Sequence, residues 1–563
     1  MRNAFRDIPA WGISLVVNLT ILFALSMVVQ SVELAGRKLA ITSEMEEQLI
    51  EEEYSFSEAT VSDTVGTQGD SNQVTLSAAV SQNLGRQEET PIERKIEQSL
   101  ITDIKIPEMA ALDPLKAMVT DRFEAKGTPS EHVTGGTAGV MDRLTLEIRR
   151  SLEENRTMVV WLFDASGSLN ERREQIADRF GNIYKQLEHL KATDGLTTAI
   201  ASYGESASLL TPEPVTGSNI KAMVDAVKAI QEDKSGHENV FTALKLCVEK
   251  YYRFNPGQGR TNKIVIIVTD ERGDDFAQLE EVINLCKQYH FRVFCVGNGS
   301  VFGQQKGYVR WTYDDGFEED IPVDQGPETA FAQVLQLPFF GAPDDWRTRT
   351  RMSAGYGPYT LTRLCAETGG MYLLTEESNG DRFDAAAMRN YAPDYRPVRM
   401  IEQEISKNGA MASLVRAASL TYEDGGIPSP TTDFRGFNDN VLREDLSEAQ
   451  KPVAVINYKL EQLYRVLESG AKARPNLTGA RWRASFDLAM GRILAMRVRL
   501  EGYQRMCAQM SSTPLSFKNP ENNMWHLRPA ADIDTGPTMR KAAEEAREYL
   551  KRVIDEHPAR RGL

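Results

Sequence analysis

Two stretches of the chain are apolar at every position: Met158-Val-Val-Trp-Leu-Phe163 and Ile264-Val-Ile-Ile-Val268. A strand sends alternate side chains to opposite faces, so a strand with no polar face must be covered on both. Helical stripes lie between and after these runs. Ile176, Phe180, Ile183, Leu187 and Leu190 recur at spacings of 4, 3, 4 and 3. Ile220, Met223, Val224, Val227 and Ile230 mark a second stripe, and Phe241, Leu244, Val248 and Tyr251 a third. Leu196–Ile200 reads as another strand, and a helix near 277–290 precedes one at 291–296. This alternation predicts an α/β fold, a doubly wound and mostly parallel sheet with helices on both faces. Such sheets bind ligands at the carboxyl ends of their strands.

Residues 300–355 interrupt the alternation. Gly307–Tyr313 and Phe317–Val323, joined through Asp314-Asp315-Gly316, predict a β-hairpin insertion. Its aromatic residues Tyr308, Trp311, Tyr313 and Phe317 either pack onto the domain or form a binding surface, and the residues leave both open. A helix over 360–368 follows, stopped by Gly369-Gly370 before a last strand at 371–374.

The ends of the chain differ in character. After a tail of residues 1–10, Trp11–Val29 is uncharged and long enough to cross a bilayer as a helix. The poor small-x-small pattern at Val29-Gln30-Ser31 favours a retained anchor at 11–30 over a cleaved signal peptide. A short head before a single span predicts the amino terminus inside and the bulk outside, at the cytoplasmic (inner) membrane. Residues 31–137 read as an acidic, polar, largely disordered stalk, with a short helix over Glu44–Glu53 and a flexible joint at Gly135–Gly139. The α/β domain is expected over 138–380, an irregular connector over 381–440, and an all-α unit over 441–563. In that unit Ile456, Leu460, Leu463 and Leu467 face a second stripe running from Trp482 to Tyr503 across the joint Arg474–Gly479, which predicts a helical hairpin. A third helix is expected near 538–556.

Charge and rare residues narrow the functions. The net charge of -15, with no dense Lys/Arg cluster, argues against nucleic acid as a partner. Five cysteines without a Cys-x-x-Cys pair give no disulfide framework, and six histidines without a zinc spacing give no zinc enzyme. No phosphate-binding glycine loop is present, and no histidine lies near Ser166 in sequence to make it a nucleophile.

The chemistry concentrates where the first apolar strand ends, in Phe163-Asp164-Ala165-Ser166-Gly167-Ser168. Asp164, Ser166 and Ser168 offer three oxygens on one loop, the donor type that hard divalent cations take. This Asp-x-Ser-x-Ser loop, at a strand's carboxyl end and before an amphipathic helix, resembles the metal-ion-dependent adhesion site of the von Willebrand A (integrin I-like) family. The resemblance covers about 140–378, with 300–355 as an insertion. It implies a site for Mg²⁺ or Ca²⁺ completed by two further loops. In Gly236-His-Glu-Asn-Val-Phe-Thr-Ala-Leu244, aligned on Asn239 and Ala243-Leu244, Glu238 stands where the family has threonine. Thr269-Asp270 matches the family's Thr-Asp, with Glu271 in place of the usual glycine, and Asp270 would be a distal carboxylate. The alternative is a vestigial site in which Glu238 accepts hydrogen bonds from Ser166 and Ser168. Asp274-Asp275 reads as a solvated acidic loop.

The overall layout resembles anchored bacterial proteins of this family, including those of Planctomycetes. It implies a non-catalytic, membrane-anchored module that binds protein partners through the metal site, with no small-molecule substrate. The rival readings are a structural scaffold of an envelope assembly and a metal-dependent hydrolase using Asp164, Glu238 and Asp270.

Overall fold

The computed structural model describes residues 42–48, 130–133, 135–189, 195–216, 219–257, 259–313, 316–338, 352–375, 388–422, 427–530 and 532–557. In chain order the strands are β1 (Thr42–Gln48), β2 (Ser130–His132), β3 (Arg156–Asp164), β4 (Leu196–Tyr203), β5 (Ala207–Leu209), β6 (Val215–Thr216), β7 (Thr261–Val268), β8 (Phe291–Gly297), β9 (Gly307–Thr312), β10 (Glu318–Val323), β11 (Tyr372–Leu374), β12 (Asp433–Arg435) and β13 (Met524–Ala530). The α-helices are α1 (Gly136–Glu154), α2 (Asn170–His189), α3 (Ile220–Lys228), α4 (Val240–Tyr251), α5 (Leu279–Gln288), α6 (Tyr359–Thr368), α7 (Val398–Lys407), α8 (Gly409–Leu420), α9 (Asp439–Ala471), α10 (Ala480–Ser512) and α11 (Pro537–Glu556).

The two all-apolar runs lie side by side as β3 and β7, in parallel register from Arg156 opposite Thr261 to Phe163 opposite Val268. They sit inside an eight-stranded sheet of order β2-β11-β8-β7-β3-β4-β5, with β6 also on β4. Only β5 and β6 run antiparallel to their neighbour β4. Val159, Trp161 and Phe163 face one layer, with α1, α2 and α3. Met158, Val160 and Leu162 face the other, with α4, α5 and α6. The chain moves from β3 to β4 on one side and from β7 to β8 on the other. The crevice where the winding reverses therefore opens between the carboxyl ends of β3 and β7.

The joint expected at Gly135–Gly139 is instead the start of α1, with Gly135 at φ 97° as its N-cap. Each interior glycine costs a helix roughly 1 kcal/mol. Val140, Met141, Leu144 and Ile148 are buried against the sheet, each contributing roughly 1.5–3 kcal/mol, so packing outweighs the backbone cost. The ordered domain also begins earlier than expected, because β2 extends the sheet beyond β11.

Within the segment expected as a stalk, Thr42–Gln48 is described. There residues 44–48 of the expected Glu-rich helix belong to a strand, paired antiparallel with β13 from Thr42 opposite Ala530 to Gln48 opposite Met524, and residues 49–53 lie outside the described residues. Helix propensities differ by at most ~0.7 kcal/mol per ordinary residue, and pairing along an open strand edge overrides them. The expected anchor at 11–30 and the rest of the stalk to 129 lie outside the described residues. Among the described residues no helix is long and apolar enough to cross a membrane.

The connector expected to be irregular over 381–440 contains α7, α8 and β12. Asn408 caps α8, its side chain accepting from the Ala410 and Met411 backbones. The carboxyl-terminal part is helical, and to that expectation the structure adds a three-stranded sheet, β1-β13-β12. Helices α9 and α10 form the expected hairpin, with α11 packed along α10. Gly470 lets α9 cross α8 closely: a Cβ there would lie 2.5 Å from Gly409 O. The same apolar core runs from Met158, Val160 and Leu162 under the sheet to Leu460, Phe486 and Ile493 in the hairpin. The segment after the β9–β10 hairpin bridges the two, with Arg492 donating to Leu335 O at 3.2 Å and Thr421 Oγ1 accepting from Gln336 N at 3.0 Å.

Candidate metal centre

Three loops meet at the crevice. The first leaves β3 at Asp164, which is fully buried. Its Oδ1 accepts from Ser166 N at 2.8 Å and its Oδ2 from Thr269 Oγ1 at 3.0 Å, which ties the first loop to the third. Behind the loop, Arg173 Nη1 donates to Asp164 O at 2.6 Å and Ser166 O at 2.8 Å. Ser166 Oγ and Ser168 Oγ are 3.1 Å apart, so the two hydroxyls share one side of the turn. Gly167 between them is under close approach: a Cβ there would lie 3.0 Å from Glu232 Oε1 and 3.4 Å from Trp311 Cη2. The hairpin's Trp311 thus packs against the serine loop, while Tyr313 and Phe317 remain exposed.

The second loop delivers Glu238, which is buried. The Glu238 backbone N–H donates to Asp274 Oδ2 at 3.1 Å, and Asp274 N donates back to Glu238 O at 2.8 Å. Asp275 accepts from Phe241 N at 3.1 Å and Thr242 N at 2.6 Å, satisfying the open amino end of α4. The reading of Asp274-Asp275 as a merely solvated loop is therefore corrected. Both carboxylates hold the second loop onto the third, a role carried by spacing across 34 and 36 residues and invisible to local pattern. Thr242 does not substitute for the missing threonine; it is exposed, and its Oγ1 accepts from Gln278 Nε2 at 2.8 Å.

The third loop follows β7. Asp270 is buried, and Glu271 N donates to Thr269 Oγ1 at 3.1 Å. Four carboxyl groups now crowd the crevice. Burial, then the charge of Asp270, pushes Asp164 up to about 7. Burial, then Asp270, pushes Glu271 up to about 7. Burial, then Asp164, Glu271 and Asp270, pushes Glu238 further still. Glu238 Oε2 is buried without a hydrogen-bond partner and takes none from either serine. Among the described residues no three His, Cys, Asp or Glu side chains form a preformed metal cage. The oxygens that line the crevice are mixed, with Ser166 and Ser168 hydroxyls beside Asp164 and the carboxylates Glu238 and Asp270 on the other two loops. An all-oxygen set with excess negative charge and one unpartnered buried carboxylate oxygen fits a hard divalent cation.

The raised carboxyl groups set a pH dependence. The folded chain holds protons that the unfolded chain has released above about pH 4 to 5, so without cations folding stability falls as pH rises toward about 7. Thermal melts in chelator are expected to show this fall between about pH 5 and 7, flattened by Asp164→Asn. A fall of equal steepness in that variant would refute the account.

Residues 159–306 match the family model of the von Willebrand factor type A domain. The chain therefore carries a von Willebrand factor type A domain, at the position where the sheet and the serine loop place it. No curated protein is matched by the chain. Among solved structures it is similar to an aerotolerance-related membrane protein from Bacteroides fragilis, at 12% identity over 45% of this chain and 99% of that one, TM-score 0.24. It is similar to the type V pili tip protein Mfa5 from Porphyromonas gingivalis, at 20% identity over 21% of this chain and 20% of that one, TM-score 0.17. The PilB minor pilin from Streptococcus sanguinis matches at 11% identity over 25% of this chain and 50% of that one, TM-score 0.21. The chain thus spans a fifth of the Mfa5 structure's length and half of PilB's.

Proposed function

We propose that the chain is a non-catalytic protein-binding module, held at a membrane by residues 11–30 with its bulk outside the cytoplasm, whose adhesion face is organised by Mg²⁺ or Ca²⁺. The carrying observation is the buried, unpartnered Glu238 Oε2 facing a crevice of raised carboxyl groups. Asp164, Ser166 and Ser168 would hold the cation directly, with Glu238 and Asp270 completing its neutralisation. The cation would draw three loops together and present a fixed charge to a partner. Glu238 adds a charge where the family's threonine adds none, so the cation attracts an incoming carboxylate less strongly. The partner is therefore read as one without an acidic anchor, docking on the loops and on the exposed Tyr313 and Phe317 beside them. Ser166 Oγ pairs with Ser168 Oγ rather than with a base, which supports a ligand set over a nucleophile.

Affinity capture by the full-length chain tests this reading. A partner retained in Mg²⁺ and released both by chelator and by Asp164→Ala is expected. A set of partners unchanged by either would overturn metal-dependent adhesion and leave a scaffold role.

A further inference from the structure

The third loop has a second face, away from the serines. Past Glu271 the chain runs through Arg272, whose backbone N–H donates to Asp324 O at 3.1 Å. The guanidinium lies over the Phe276 ring, 4.5 Å from its centroid. Among the described residues its one hydrogen bond goes to Gln305 Oε1, at 3.2 Å.

Arg272 lines a cavity of about 350 Å³ between the sheet domain and α8. Phe276 and Tyr359 line it from the sheet domain, Phe331 from the segment after the hairpin, and Val415 and Tyr422 from α8 and its following turn. The tyrosine hydroxyls are already engaged, Tyr359 donating to Arg396 O at 2.7 Å and Tyr422 donating to Gly303 O. The hollow is thus a half-open, mostly apolar cleft, with Gln305, Thr329, Thr360 and Ser419 also in its lining and one cationic fork. Its size lies at the lower end of the roughly 300–1,000 Å³ typical of ligand pockets. A guanidinium matches a carboxylate in two parallel hydrogen bonds, and a lined apolar space selects an apolar body.

We propose that this cavity binds a carboxylate carried on a compact apolar body, with Arg272 taking the carboxylate and Phe331, Tyr359 and Val415 enclosing the body. None of its walls is a ligand of the metal site, so the proposal stands apart from the adhesion reading. The walls come from the sheet domain, the segment after the hairpin and α8, and a bound ligand would clamp them together. The same chemistry has two sources, a free small acid or the terminal carboxylate of a peptide ending in an aromatic residue.

Calorimetry on the full-length chain tests it with two probes, 3-phenylpropanoate and the peptide acetyl-Ala-Ala-Phe, each beside its amide. One acid or both should bind with its amide at least about tenfold weaker, as loss of a charge-assisted hydrogen bond predicts. Arg272→Gln should weaken the acid by a similar factor, and Val415→Trp should abolish binding by filling the hollow, with circular dichroism confirming both folds. Binding of the small acid alone assigns a free metabolite, and binding of the peptide alone assigns a chain terminus. Absence of binding by either acid at millimolar concentration overturns the proposal, as do amides that bind equally well. If Arg272→Gln does not fold, Val415→Trp decides, and undiminished binding there refutes the site.

Discussion

Replacing Arg481 by methionine is expected to lower the unfolding free energy by about 3–5 kcal/mol, because it strands a buried carboxylate. Glu328 is fully buried and Arg481 is 6% exposed. Arg481 Nη2 donates to Glu328 Oε1, Nη1 to Tyr391 O at 2.8 Å, and Nε to Gln333 Oε1 at 3.2 Å. Apart from Arg481, Glu328 accepts Gly303 N at 3.0 Å. Methionine keeps the aliphatic stem beside Phe302, over whose ring the guanidinium lies at 5.0 Å, so the loss isolates the charge. Adding Glu328→Gln should recover part of the loss, since a neutral amide needs no counter-ion. Urea denaturation of the four proteins in the cycle measures the coupling. A cost below about 1 kcal/mol for Arg481→Met would mean that the pair is hydrated and does not lock the insertion to α10.

The second large effect concerns Glu238. Glu238→Gln is expected to weaken Mg²⁺ binding by at least about tenfold, because two unit charges 4 Å apart attract by about 4 kcal/mol at an effective dielectric of 20. Part of that attraction is spent on releasing the proton that Glu238 holds in the cation-free chain. The same variant should raise cation-free stability at neutral pH, because the unfolded chain ionises Glu238 while the folded chain must hold its proton, and glutamine removes that cost. The two outcomes together separate a ligand from a structural residue. Weakened binding with undiminished cation-free stability identifies Glu238 as part of the cation site, and unchanged affinity removes it from the ligand set.

Much of this architecture was legible because its signals are local and periodic. The all-apolar runs at 158–163 and 264–268 could only be central strands, and Asp164, Ser166 and Ser168 follow the first of them directly. The hairpin at 307–323 and the stripe from Trp482 to Tyr503 were likewise carried by alternation and helical spacing. What escaped depends on partners distant in sequence. Thr42–Gln48 is a strand only because β13 offers an edge nearly five hundred residues later. The start of α1 is glycine-rich, and only burial against the sheet makes it helical. Arg173, Thr269, Asp274 and Asp275 hold the three loops through hydrogen bonds that no spacing announces. Glu238 was legible as an oddity, and its unpartnered oxygen gives that oddity its physical meaning.

The most direct test of the central claim is calorimetric titration of the chelator-stripped full-length chain with Mg²⁺ and with Ca²⁺, beside Asp164→Ala. One cation bound per chain by the unaltered protein, and none by the variant, is the predicted result. No binding of either ion by the unaltered chain, or equal binding by the variant, would contradict a cation site at the serine loop.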